Sequence, residues 1–117
     1  MSESKVIFHI DELDKWDLLL KDVSILLDAM KSNDFKIEVL ANSEAVKFYD
    51  KNSIMEMDKN FMCNLSNKGV CFAACNTSLN SYSMNQNDIV DFVNLVPKGT
   101  MELINKQSDG FIYLKAW

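Results

Sequence analysis

The six-residue run VCFAAC, from Val70 to Cys75, constrains the fold more than any other segment. It is apolar at both odd and even positions, whereas a strand with one face in water alternates apolar and polar residues. A run of this kind is typical of an interior strand in a parallel sheet that is covered on both faces. The segment NKG before it (67–69) can end a helix in the left-handed conformation, and NTS after it (76–78) can cap another. The pattern therefore predicts a central strand between two helices.

The rest of the chain alternates between strand-like and helix-like segments. Apolar residues at every third or fourth position predict an amphipathic helix over residues 16–30, capped by Asp14 and followed by a turn at 32–34. Four more strands are predicted, at 5–10, 35–41, 94–96 and 111–115. Four shorter helices are also predicted: one capped by Ser43, one that begins at Asp58, one that follows residues 76–78 and one over residues 100–107. Residues 88–92 fit either the end of a helix or a strand. This alternation predicts an α/β protein, a three-layer α/β/α sandwich with a mostly parallel sheet of about five strands, in one domain over residues 1–117.

Composition excludes several classes of function. The net charge of -5, with lysines scattered along the chain, argues against a nucleic-acid partner. No apolar stretch approaches the roughly 18 residues that a membrane span needs, and the first ten residues, MSESKVIFHI, do not have the pattern of a signal peptide. We therefore expect a cytoplasmic protein with no membrane partner.

The cysteine pattern indicates free thiols. Three cysteines, an odd number, suggest reduced side chains rather than a disulfide framework. On one strand, Cys71 and Cys75 would lie on the same face about 13 Å apart, too far for a disulfide or a shared zinc ion. Only His9 is left to complete a ligand set, so we expect no metal site. The glycine-rich phosphate-binding motifs are absent, and we expect no cofactor.

The predicted strand ends supply the candidate site residues, because ligands of parallel α/β folds bind beyond the carboxyl ends of the strands. Cys75 would end a strand just before a helix, where backbone N–H groups and the helix dipole favour the reactive thiolate. Burial is the simpler explanation for Cys63, in a helix, and for Cys71, in mid-strand. A lone His9 on a strand is more often a packed or surface residue than a base. The candidate strand-end segments are His9–Glu12, Asn42–Ser43, Cys75–Thr77 and Pro97–Gly99.

Four segments together resemble the DsrE/DsrF-like family: KVIFHIDE, IEVLANSEAV, GVCFAACNTSL and NLVPKGTMELINKQSDGFIYLK. The most specific parts are Cys75-Asn76 and the stretch VPKGTMEL, and the resemblance covers nearly the whole chain. In this family the cysteine after the third strand can carry sulfur as a persulfide, and the subunits form trimers or hexamers. The resemblance therefore implies that Cys75 is the carrier. One departure is Ser43, since relatives often have glycine after the second strand.

We therefore expect an oligomeric protein, a homotrimer or homohexamer, in which Cys75 accepts, holds or passes sulfane sulfur in the manner of a sulfurtransferase-type carrier. Its partners would be sulfur donor and acceptor proteins. Asn76 and the helix N-terminal amides would hold the negative charge, and His9 is a candidate for proton handling. Two alternatives stay open: a small-ligand or partner-binding protein in which Cys75 only lines the pocket, and a structural oligomer without a site. The remaining pocket candidates are Thr77, Asn42, Ser43, Pro97 and Gly99.

Overall fold

The computed structural model describes residues 4–30 and 34–116, which contain a five-stranded sheet. The strands are β1 (Ser4–Ile10), β2 (Phe35–Ala41), β3 (Val70–Cys75), β4 (Val93–Val96) and β5 (Ile112–Lys115). All strand pairs of the sheet are parallel, and the strand order is β4-β3-β2-β1-β5. The predicted α/β architecture is therefore confirmed, and so is the interior position of the two-sided apolar strand.

Helices connect the strands and cover both faces of the sheet. Four α-helices and three short 3-10 helices lie in the described part of the chain, and none of them is long and apolar enough to cross a bilayer. The α-helices are α1 (Trp16–Met30), α2 (Glu56–Asn67), α3 (Asn76–Ser81) and α4 (Gly99–Ser108), and the 3-10 helices are Leu13–Lys15, Ser43–Tyr49 and Gln86–Asp88.

Several predicted boundaries need correction. A 3-10 turn precedes α1, so Glu12 rather than Asp14 holds the cap position, and α2 begins two residues before Asp58. The cap before the Ser43–Tyr49 helix is Asn42, because Ser43 itself has a φ of 52°, outside the extended conformation of a cap. Of the ambiguous segment 88–92, Asp88 ends the 3-10 helix Gln86–Asp88, and the residues after it form no ladder, only an isolated bridge from Ile89 to Asp50. The turn predicted at 32–34 falls mostly outside the described residues.

The two faces of the sheet are covered unequally. One face packs against α1, α2, α3 and the Ser43–Tyr49 helix and contains most of the core. There Trp16 stacks on Phe48 at 4.7 Å and its indole N–H donates to the Ala45 carbonyl at 2.9 Å. The other face carries α4 over a small cluster of Ile7, Leu40 and Ala73. Burial of each large apolar side chain contributes about 1.5–3 kcal/mol, so the first face holds most of the stability.

The register places the carboxyl ends of the central strands side by side. Ile10 pairs with Ala41, and Cys75 pairs with Val96. The residues that follow these strands therefore meet at one edge of the sheet, where α3 and α4 also begin. This edge holds the candidate site.

Candidate functional site

The thiol of Cys75 lies at the start of two helices. Cys75 is the last residue of β3 and the cap residue of α3, and its exposed fraction is 5%. The backbone N–H of Gly99, the first residue of α4, donates to Cys75 Sγ at 3.2 Å. α4 therefore directs an N–H group toward the sulfur of the residue at which α3 also begins, an arrangement that stabilises negative charge.

Gly99 makes this close approach possible. A Cβ atom at this position would lie 3.3 Å from Cys75 Cβ and 3.4 Å from Asn42 Cβ. The first distance is shorter than an ordinary van der Waals contact between carbon atoms, and the second is at the lower limit of one. The absent side chain therefore lets the first turn of α4 pack directly against the strand ends.

Hydrogen bonds set the ionisation of Cys75. Burial alone would raise the pKa of its thiol, but hydrogen bonds from the Ser78 hydroxyl and from the backbone N–H groups of Ser78, Gly99 and Thr77 outweigh burial and lower the pKa below the ordinary value. Cys71 behaves in the opposite way, because burial raises the pKa of its thiol despite a hydrogen bond from Asn94. Of these two thiols on one face of β3, only that of Cys75 has a lowered pKa, which favours the thiolate.

Ser78 is a site residue that the sequence reasoning treated only as a helix cap. Its Oγ accepts a hydrogen bond from the backbone N–H of Ser43 at 2.8 Å, which leaves its own O–H to donate to Cys75. Its position three residues after Cys75 could have predicted this role, because the side chain of the third residue of a helix commonly reaches back to the cap residue. The positive φ of Ser43 explains why glycine would suit that position equally well.

A cavity of about 340 Å³ opens beside the thiol. It brings together four of the predicted residues, Cys75, Asn42, Thr77 and Gly99, and adds residues that the sequence reasoning missed. The full lining is Asn42, Cys75, Thr77, Ser78, Lys98, Gly99, Thr100 and Met101. Lys98 lies within the predicted segment Pro97–Gly99, and Thr100 and Met101 line the cavity because α4 starts over β3, a contact between segments distant in the chain.

The other predicted residues lie around this cavity. The carbonyl of Pro97 accepts a hydrogen bond from Thr77 Oγ1 at 3.1 Å, and Ser43 acts through Ser78. Asn76 is exposed and does not line the cavity. His9 contacts Asn42 rather than Cys75, because β2 lies between β1 and β3.

The two other thiols occupy different surroundings. Cys63 in α2 and Cys71 in β3 are half-buried, and Cys75 is the most buried of the three, contrary to the expectation from sequence. All three are free. In residues 4–30 and 34–116, no group of three His, Cys, Asp or Glu side chains is placed to hold a metal ion.

A second cavity, of about 360 Å³, lies between α1 and β5. Its walls are mostly aliphatic and include Leu18, Ile25 and Leu114, together with Lys15 and Lys115. No thiol or imidazole lines it. Chemistry based on a nucleophile is therefore assigned to the Cys75 cavity instead.

Fold and site together define a class: a parallel α/β sandwich with a stabilised thiol at the carboxyl end of an interior strand. The model of the DsrE/DsrF-like family matches residues 21–116, and the chain belongs to that family. The comparison with curated proteins found no match.

Two solved structures have the same fold. One is a protein of unknown function from Methanobacterium thermoautotrophicum, MTH1491, which is 30% identical with a TM-score of 0.80 over 96% of this chain and 98% of the other. The other is the YchN protein from E. coli, with 13% identity and a TM-score of 0.72 over 96% and 98% of the two chains. The second likeness concerns the fold alone.

Proposed function

We propose that this protein is a sulfur carrier in which Cys75 accepts sulfane sulfur as a persulfide and passes it to an acceptor. The observation that carries the proposal is the position of Cys75 Sγ at the start of α3 and α4, where the backbone N–H of Gly99 donates to it at 3.2 Å. This contact, with the hydroxyl and N–H of Ser78 and the N–H of Thr77, lowers the pKa of the thiol despite burial, and the thiolate is the nucleophile of sulfur transfer. Membership of the DsrE/DsrF-like family supports the same role.

The transfer needs no added oxidant or reductant. The Cys75 thiolate attacks the outer sulfur of a donor persulfide, a new S–S bond forms at Cys75, and the donor S–S bond breaks. The donor thiolate leaves with the electron pair. In the second step an acceptor thiolate attacks the outer sulfur on Cys75, and the Cys75 thiolate leaves. The same N–H and O–H donors stabilise Cys75 as nucleophile and as leaving group.

The test is persulfide formation followed by mass spectrometry. The native protein is incubated with a small persulfide, trapped with iodoacetamide and digested, and the peptides that contain the three cysteines are compared. We expect one added sulfur atom on Cys75 and none on the Cys75→Ser variant, with Cys63→Ser and Cys71→Ser as matched controls that load normally. A persulfide on Cys63 or Cys71 instead, or on no cysteine, would contradict the proposal.

The burial of Cys75 favours one alternative. With an exposed fraction of 5%, this thiol could line a binding pocket without turning over. In that case a small molecule would protect Cys75 from alkylation, while no sulfur would be transferred. Transfer of the loaded sulfur to a thiol acceptor separates the two functions, because only a carrier passes on the sulfur that it has taken up.

We also propose that the chain forms a homotrimer or homohexamer in the cytoplasm. Two large apolar side chains of α4, Met101 and Ile104, are exposed to solvent. Contact between copies would bury them. The cytoplasm suits three free thiols. Sedimentation at micromolar concentration is expected to give a trimer or hexamer, and a monomer would contradict this part of the proposal.

A further inference from the structure

Four adjacent strands each place one polar group at the same edge of the sheet. In the order β3, β2, β1, β5, these groups are Cys75, Asn42, His9 and Tyr113. His9 Nε2 lies 2.9 Å from Asn42 Oδ1, and His9 Nδ1 lies 2.7 Å from Tyr113 Oη. The hydrogen-bonded row therefore runs from the exposed edge strand to the wall of the thiol cavity.

We propose that His9 and Tyr113 are positioning residues that fix the side-chain amide of Asn42, so that its NH₂ group donates to the outer sulfur carried on Cys75. This inference rests on the proposed carrier function and assigns the residue that holds the transferred atom. Asn42 would contact the outer sulfur directly, whereas His9 and Tyr113 act through Asn42.

The geometry gives the amide its direction. Asn42 Oδ1 faces His9, and Asn42 Nδ2 lies on the other side, 3.5 Å from the point where a Gly99 Cβ would be. That point is itself 3.3 Å from Cys75 Cβ. The space left free by Gly99 is therefore bordered by the thiol-bearing residue and by an amide donor, and Asn42 lines the cavity into which an outer sulfur would extend.

The direction of each hydrogen bond follows from this orientation. Because Asn42 presents its oxygen, a neutral His9 must carry its proton on Nε2 and donate it to Asn42. Its Nδ1 then accepts from the Tyr113 hydroxyl. The reverse arrangement would turn the Asn42 oxygen, which carries a partial negative charge, toward the thiolate, and the two would repel each other. The orientation with Asn42 Oδ1 toward His9 therefore suits both Tyr113 at one end of the row and the Cys75 thiolate at the other.

Burial keeps the row in place. His9 is only 9% exposed, and its two ring nitrogens are both occupied by these contacts. β1 and β2 pair in register from Ser4↔Phe35 to Ile10↔Ala41, which fixes the distance between His9 and the residue after β2. Both ring nitrogens of this buried imidazole therefore have hydrogen-bond partners, and the row that they form ends at the wall of the thiol cavity.

The functional test compares the decay of the Cys75 persulfide in variants. The protein is loaded with a small persulfide, excess donor is removed, and the loaded fraction is followed by mass spectrometry. We expect Asn42→Ala to lose the persulfide about tenfold faster, as the loss of one hydrogen bond to a charged group implies, and Tyr113→Phe to lose it severalfold faster. His9→Gln keeps an N–H donor and is expected to retain more of the lifetime than His9→Phe.

Tyr82→Phe is a matched control for the loss of the Tyr113 hydroxyl. Tyr113 and Tyr82 are similarly exposed, at 37% and 38%, and Tyr82 lies at the end of α3 under the ammonium group of Lys47. Tyr82→Phe removes the same atom and is expected to leave the persulfide lifetime unchanged. Equal lifetimes for wild type, Asn42→Ala and Tyr113→Phe would overturn the inference while the carrier function stands.

The second readout needs no sulfur. His9 is the only histidine of the chain, so its imidazole nitrogens can be assigned directly in a protein with ¹⁵N-labelled histidine. We expect the reduced wild type, at a pH where the imidazole is neutral, to carry the proton on Nε2, and Tyr113→Phe to weaken this preference. A proton on Nδ1 in the wild type would overturn the inference. If the wild type takes up no sulfur, the proposed function fails, and this measurement still decides the orientation of Asn42.

Discussion

The backbone N–H of Gly99 donates to Cys75 Sγ at 3.2 Å, and this contact joins the first turn of α4 to the end of β3. The two residues are 24 positions apart in the chain. The contact places a second helix N-terminus at the thiol, in addition to α3, of which Cys75 is the cap residue. The reactivity of Cys75 therefore depends on tertiary structure as well as on its own strand and helix.

Removal of the Ser78 hydroxyl should make the thiolate form of Cys75 less stable. In Ser78→Ala, Cys75 loses the hydroxyl that contributes most to the lowering of its pKa, so the pKa of the thiol should rise. We expect alkylation of Cys75 by iodoacetamide at neutral pH, measured on its peptide, to slow by about threefold to tenfold. Ser81→Ala is the control, because Ser81 Oγ donates to the Thr77 carbonyl at 3.1 Å and not to Cys75. Equal rates in both variants would contradict the role of Ser78.

A methyl group at position 99 should disturb the site. In Gly99→Ala the new Cβ would meet Cys75 Cβ at 3.3 Å, so Cys75 or the start of α4 must move by a few tenths of an ångström, which disturbs the contact between the N–H and the sulfur. We expect a loss of about 1 kcal/mol in the free energy of unfolding and severalfold slower persulfide loading. Ser108→Ala, at the far end of α4, serves as the control. A Gly99→Ala protein with the stability and loading rate of the wild type would rule out this packing constraint.

Glu38 should make the stability depend on pH. Burial, together with the hydrogen bond and charge of Glu102, raises the pKa of Glu38 to about 8 despite Lys106, whose Nζ lies 3.5 Å from Oε1. Glu38 Oε2 has no donor among the described residues, and a proton held between Glu38 and Glu102 would supply one. Because the folded pKa exceeds the ordinary value of 4.5, the stabilisation is complete below pH 4.5 and is lost as pH rises through about 8.

Glu38→Gln stays neutral at every pH and should not show this loss. The free energy of unfolding of Glu38→Gln minus that of the wild type should increase by roughly 1–3 kcal/mol as pH rises from acidic to alkaline. Urea unfolding across that pH range measures this difference. Glu56→Gln, an exposed position in α2, is the matched control. If the free energies of unfolding of wild type and Glu38→Gln vary with pH in parallel, Glu38 is ionised to the same extent in the folded and unfolded states, which would contradict this prediction.

Ser43 should tolerate glycine. Its φ of 52° is a conformation that glycine adopts without steric cost, while its backbone N–H, which bonds Ser78, is retained. We expect Ser43→Gly to change the free energy of unfolding by less than about 1 kcal/mol, toward stabilisation, and to leave the alkylation rate of Cys75 unchanged. Ser66→Gly, inside α2, should destabilise the protein instead. A clear loss of stability in Ser43→Gly would indicate a role for the hydroxyl.

Local patterns were enough to predict the sheet. The two-sided apolar run identified β3 as an interior strand, and Gly69 ends the preceding segment with a φ of 110°, as the left-handed stop requires. The position of Cys75 between strand and helix also follows from neighbouring residues alone. These features could be predicted because they depend on residues close together in the chain.

Long-range features of the site could not be predicted in this way. The sequence does not show that α4 begins against Cys75, that Ser43 adopts a positive φ, or that His9 lies beside Asn42. The burial of Glu38 is a similar case, since a charged residue in β2 looks like a solvent-facing position until α4 covers it. Each depends on how separate segments pack, which periodicity does not encode.

The most direct measurement is the fate of the sulfur atom after loading. The native protein is charged with isotopically labelled sulfane sulfur, freed of donor and mixed with a thiol acceptor, and the label is followed by mass spectrometry on the Cys75 peptide and on the acceptor. We expect the label to leave Cys75 and to appear on the acceptor in equal amount, with no label taken up by Cys75→Ser. Label that never enters Cys75, or that enters and cannot be passed on, would contradict the sulfur-carrier function.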